Sequence, residues 1–199
     1  MKKLKLCILI ILVSSSTYAQ NKHFDAMSDI VKALENLKSL SEKLNRNGWN
    51  DSYYYKSYNT TMQNVEKHLS NATDKLYESI DLIEEIENTN YKCSNDDLSK
   101  RSNDLINNLK KLKSKLNSYL RRLNNLDNSE IASRLYTIYK YPNNSRYIRV
   151  ASKEVSNYLK PTFNDLKEIY NSMVTSSRDY DYFKLNVESS QSKLSQICN

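Results

Sequence analysis

Glycine and proline are nearly missing from this chain, with one of the first and two of the second in 199 residues. These residues punctuate turns, hairpins and phosphate-cradling loops, so their scarcity points away from turn-rich β folds. It also removes the glycine-dependent nucleotide and nucleophile motifs. Histidine is almost as rare: His23 and His68 are the two present. They lack the four-residue spacing of a helical metal pair, and no carboxylate pair completes a ligand set around either. Glu66 and His68, two residues apart, point away from each other on a helix. Both histidines therefore read as solvated or half-packed side chains, with no metal and no cofactor. No cysteine or serine has a histidine placed to activate it, so the chain reads as non-enzymatic.

The N-terminus has the three parts of an export signal. Lys2, Lys3 and Lys5 lead an apolar run from Leu4 to Val13, and Thr17-Tyr18-Ala19 offers small residues for a cut after Ala19. The apolar run is about half of the roughly 20 residues that a membrane span requires. Cys7 lies inside it without the small-residue context of a lipoprotein. The expected division is a signal peptide over 1–19 and a single helical-bundle domain over 20–199, either periplasmic or secreted. Cleavage removes three of the 30 basic residues and none of the 23 acidic ones, lowering the formal charge from +7 to +4. A charge this modest, on an exported chain, gives no case for a nucleic-acid partner.

Two cysteines remain after cleavage, Cys93 and Cys198. In an oxidising compartment they most simply pair with each other. Four Asn-x-Ser/Thr sequons begin at Asn50, Asn59, Asn71 and Asn143. That is the number chance provides in a chain so rich in Asn, Ser and Thr, so they say nothing of glycosylation.

What the chain has in abundance is apolar residues at alternating steps of three and four, the heptad rhythm of packed helices. A first helix is expected from His23 to Arg46, with the stripe Met27, Ile30, Leu34, Leu37, Ser41 and Leu44. Gly48 would end it in the left-handed conformation, with Trp49 packing back on Leu44. A second runs from the Asn50-Asp51-Ser52 cap cluster to Glu87, with Tyr58, Met62, Val65, Leu69, Ala72, Leu76, Ile80 and Ile83 inward. A third carries Leu98, Ser102, Leu105, Leu109, Leu112, Leu116, Tyr119, Leu123 and Leu126, about 45 Å at 1.5 Å per residue. Beyond it the pattern is more broken: a short helix over Ser129–Tyr139, another to Leu159, and Pro161 opening a new helix or kinking a continuous one. A turn is expected at Ser176–Asp179, then a last helix bearing Phe183, Val187, Ser190, Leu194 and Ile197. The fold class is all-α: an up-and-down helical bundle of three long antiparallel helices plus shorter C-terminal helices. The heptad rhythm would serve self-association into a homo-oligomer equally well.

Asp81, Glu84, Glu85 and Glu87 crowd the end of the second helix and read as a solvated face. A tight return would pair residues whose numbers add to roughly 185, setting these carboxylates near Lys100 and Arg101. In that register the basic stretch Lys110–Arg122, with no acidic residue from Leu105 to Leu126, runs toward the start of the second helix. Tyrosine and basic residues from three segments would then gather at one pole: Tyr53, Tyr54, Tyr55, Arg121, Arg122, Arg134, Tyr136, Tyr139, Arg146 and Tyr147. Tyr and Arg are enriched at binding surfaces because each joins contact area to directional hydrogen bonding. The sequence thus suggests an exported binding protein recognising a protein partner or an anionic glycan or lipid surface through that pole. The alternative is a periplasmic chaperone-like helper, which should instead expose an apolar concave face.

Overall fold

The structure, a computed structural model, describes residues 21–47, 52–126, 129–140 and 145–198. All of its regular elements are helical. They are α1 (Lys22–Asn47), α2 (Ser52–Asn88), α3 (Asp96–Asn124), α4 (Ser129–Lys140), α5 (Ser145–Asp179), a 3-10 turn (Asp181–Lys184) and α6 (Val187–Cys198). The signal-like segment and the expected Gly48 cap with Trp49 lie outside the described residues.

Cross-helix pairs fix the topology. Lys22 meets Glu78 and Lys43 meets Ser57 and Thr61, so α1 and α2 are antiparallel along their length. Against α5, Tyr119 bonds Ser172, Arg122 meets Glu168, and Arg134 meets Glu154. These pairs from α3 and α4 share nearly one register, so the two helices act as one interrupted column running antiparallel to α5. Columns α1, α2, α3–α4 and α5 each pack on two neighbours and close a four-column bundle. The fourth long column is α5, continuous through Pro161, which is the second of the two alternatives left open there. Proline removes one backbone donor, yet Leu159, Leu166, Ile169 and Met173 stay buried on a continuous face across it. The same helix also runs through the expected turn at Ser176–Asp179. Ser176 is buried against the Tyr119 hydroxyl at 2.6 Å, and Ser177 bonds back to Val174 O, so neither competes for a turn.

The α2 stripe is buried as expected, from Tyr58 to Ile83 and on to Ile86. On α1, Ile30 and Leu37 are buried as expected, joined by Ala26, Ala33 and Leu40, whereas Met27 and Leu34 are only partly buried and Ser41 is exposed. Small residues at 26 and 33 let the two backbones approach, which a larger side chain at the seam would prevent. One apolar core runs from Ala26 to Leu194 through every helix.

The α2–α3 register differs from the tight return. Glu87 and Glu84 pair with Lys113, and Tyr77 meets Asn124, so facing residue numbers add to about 200. Relative to a sum of 185 this slides α3 along α2 by about 22 Å. The seven residues 89–95 can span roughly 24 Å when extended, so the chain runs on past α2 before α3 starts back. Asn95 caps α3 by accepting from Leu98 N at 2.9 Å. Cys93 in this connection is bonded to Cys198 at the end of α6, a separation of 105 residues. α6 thereby lies across α2 and α3 at the Cys93 end.

Candidate ligand-binding site

The slide of α3 redistributes the residues of the expected Tyr/Arg pole. Arg121 and Arg122 stand at the level of Tyr77 in the second half of α2, about 35 Å along the axis from Tyr54. They therefore do not join Tyr53, Tyr54 and Tyr55 at the start of that helix. Arg122 is turned to α5, where its guanidinium meets Glu168 at 3.5 Å. Arg134 of α4 is half-buried beside Glu154 at 3.2 Å, and Tyr136 is 54% exposed. The side chains of Tyr53, Tyr54, Tyr55, Tyr139, Arg146 and Tyr147 lie outside the described residues. Lys100 and Arg101 do not reach the acidic cluster, because the same slide gives Glu84 and Glu87 to Lys113, while Glu85 accepts from Gln191 of α6.

Around Arg121 the slide creates a groove that the tight register would not. Tyr77 of α2 forms one wall, and Ser114, Asn117, Ser118, Arg121 and Asn124 of α3 with its C-cap Asn125 form the other, over a floor at Leu120. The α3 positions follow steps of three and four, so one helix face presents them all. The groove is shallow and open to solvent, with a volume of about 550 Å³. Tyr77 is 44% exposed, and its hydroxyl accepts from Asn124 Nδ2 at 3.3 Å. Arg121 is exposed, and among the described residues it has no carboxylate partner and no acidic side chain lines the groove. An aromatic face, several amides and hydroxyls, and one unneutralised guanidinium suit a hydroxyl-rich anion. The ring offers a stacking surface, the amides donate and accept, and the fork of the guanidinium matches a carboxylate. Arg121 belonged to the expected surface. Tyr77 and the three asparagines did not, although the polar run at 114, 117, 118, 121, 124 and 125 was there to be read.

Of the two histidines expected to be solvated or half-packed, His68 is half-packed and His23 is not. His23 is fully buried, and its Nε2–H donates to Phe183 O at 2.9 Å. Phe183 meets His23 and Phe24 edge-on, with centroids at 5.2 and 5.7 Å, and Tyr119 lies at 6.4 Å. Burial drives the His23 pKa down to about 4, against a smaller upward pull from the Phe183 carbonyl. His68 is half-buried, and its Nδ1 lies 3.0 Å from Asp29 Oδ1. Asp29 is 3% exposed and takes a second hydrogen bond from Lys75 at 2.5 Å, with Lys32 at 3.7 Å. Burial pushes its carboxyl pKa up, but the bonds from Lys75 and His68 outweigh that and hold it below the ordinary value. Among the described residues no three His, Cys, Asp or Glu side chains gather as a metal site. One imidazole and two ammonium groups surround the buried Asp29 carboxylate. No protein-family model, curated protein or solved structure matches this chain.

Proposed function

We propose that the chain is an exported, non-enzymatic binding protein that takes an acidic saccharide into the Tyr77–Arg121 groove. The observation carrying this reading is the unneutralised Arg121 among Asn117, Asn124 and Asn125, beside an exposed tyrosine face. Export rests on the signal-like N-terminus. The Cys93–Cys198 bond and the absence, among the described residues, of any helix long and apolar enough to cross a membrane are compatible with it. The large hydrophobic side chains exposed among the described residues are Tyr77, Tyr136, Tyr158 and Tyr180. Tyrosines scattered in this way favour a specific polar binder over a surface that holds unfolded clients.

Titration with oligosaccharides of uronic acids, beside their neutral counterparts, tests the assignment. Arg121→Ala should weaken binding of the acidic series at least tenfold, as expected for a charge-assisted contact, and leave the neutral series unchanged. Tyr77→Ala should weaken both. Equal affinity for acidic and neutral sugars, or full binding by Arg121→Ala, would remove this reading.

A further inference from the structure

A second groove lies between α1 and α5, away from Tyr77. Leu37, Lys38 and Ser41 line it from α1, and Ser156, Leu159, Lys160 and Phe163 from α5. The α5 residues fall at i, i+3, i+4 and i+7, so one helical face supplies them. Leu37 and Leu159 are buried and form the floor together with the half-buried Phe163, whereas Lys38 and Lys160 are exposed, one on each helix. Among the described residues neither lysine has an ion-pair partner and no carboxylate lines the groove. Lys160 also borders the neighbouring recess at Pro161, where Asp165 and Glu168 lie, and Glu168 already faces Arg122.

We propose that this groove binds a free medium-chain fatty acid, its alkyl chain along Leu37, Leu159 and Phe163 and its carboxylate between Lys38 and Lys160. The volume, about 350 Å³, suits a small ligand. The stretch from Ser156 to Phe163 gives about 10 Å of groove length. A bare inorganic anion would leave the apolar floor unused, and a neutral lipid would leave both cations unused. Fatty-acid carboxylates satisfy the two halves at once. Snorkelling lysines are suited to this task, since their stems cover apolar surface while their heads stay in water.

The test is calorimetric titration of the purified chain with hexanoate, octanoate and decanoate below micelle-forming concentrations, with decanol as the uncharged control. Affinity should rise about fourfold for each methylene added. Lys38→Glu/Lys160→Glu should weaken decanoate at least tenfold, and decanol should bind no better than to that variant. Ser156→Trp, a change at an exposed position, should fill the groove and abolish binding while leaving the melting temperature in place. Arg121→Ala should bind decanoate normally, so loss of the saccharide reading would not touch this one. No binding of decanoate, no dependence on chain length, equal binding of decanol, or unchanged binding by Ser156→Trp would each overturn the proposal. Binding only to anionic vesicles would overturn it too, in favour of a membrane-surface role for the lysines.

Discussion

Two buried titratable groups in the first third of α1 are held by opposite means. At its start, His23 is sealed against Phe24, Phe183 and Tyr119, in a cap closed by α6 and the Cys93–Cys198 bond. One turn and more along, Asp29 is equally buried but stands among His68, Lys75 and Lys32. In the cap a titratable group is kept neutral by apolar surroundings; in the α1–α2 seam a charged one is kept charged by its partners. Burial alone therefore predicts neither behaviour. What decides is whether the neighbouring elements supply opposite charge or only carbon.

The sharpest way to break this comparison is to cut the staple that closes the cap. Replacing Cys93 and Cys198 by serine opens a loop with a sequence separation of 105. The chain-entropy model puts the loss at about 4–5 kcal/mol for a loop of that size. Urea unfolding should show the midpoint fall sharply with little change in far-ultraviolet helicity under native conditions, since the core of α1 to α5 is continuous without the bond. A shift below about 1 kcal/mol would mean that the cap is held by packing alone.

Acid comes next in size and separates the two regions by pH. His23 has a native pKa of about 4 against 6.5 when free, so between these values the unfolded chain binds more protons than the folded one. Stability then falls as pH drops from 6.5 to 4, and is flat above 6.5 as far as this group is concerned. Over the full interval the loss is on the order of 3 kcal/mol. Denaturant midpoints measured at pH 7, 5.5 and 4 should reveal this slope. His23→Gln, which keeps a donor toward Phe183 O but does not titrate, should remove it. Persistence of the slope in that variant would assign it elsewhere.

How much of this was legible depended on distance along the chain. The α2 stripe, the all-helical class and the cysteine pair followed from local spacing and from a count of two, and the structure has each of them. On α1, Ile30 and Leu37 are buried as expected, but Ala26, Ala33 and Leu40 replace Met27, Leu34 and Ser41, because periodicity favours the larger Met27 and Leu34 while close approach of helices selects Ala26 and Ala33. The α3 register was not readable: residues 89–95 can turn back or run on, and nothing in their composition chooses. That single ambiguity sets Arg121 beside Tyr77, away from the start of α2, and hid the groove between them. His23 was misjudged for a related reason. Its burial comes from Phe183, 160 residues away, and no local pattern announces such a neighbour.

The smallest effect belongs to the seam. Asp29→Asn keeps one acceptor for His68 or Lys75 but removes the charge that holds both. With those partners 22% and 33% exposed, water recovers part of each lost interaction, so the expected cost at neutral pH is about 1–2 kcal/mol. The pH signature is more telling than the size. The Asp29 carboxyl is held below its ordinary value of 3.8, so its contribution is complete above that value and is lost as pH falls through the lower native one. Asp29→Asn should therefore lower the urea midpoint equally at pH 7 and 5, and the gap from the parent should close only toward pH 3 and below. A gap that already narrowed between pH 6.5 and 4 would couple the seam to His23, and the cap and the seam would then respond to acid as one unit.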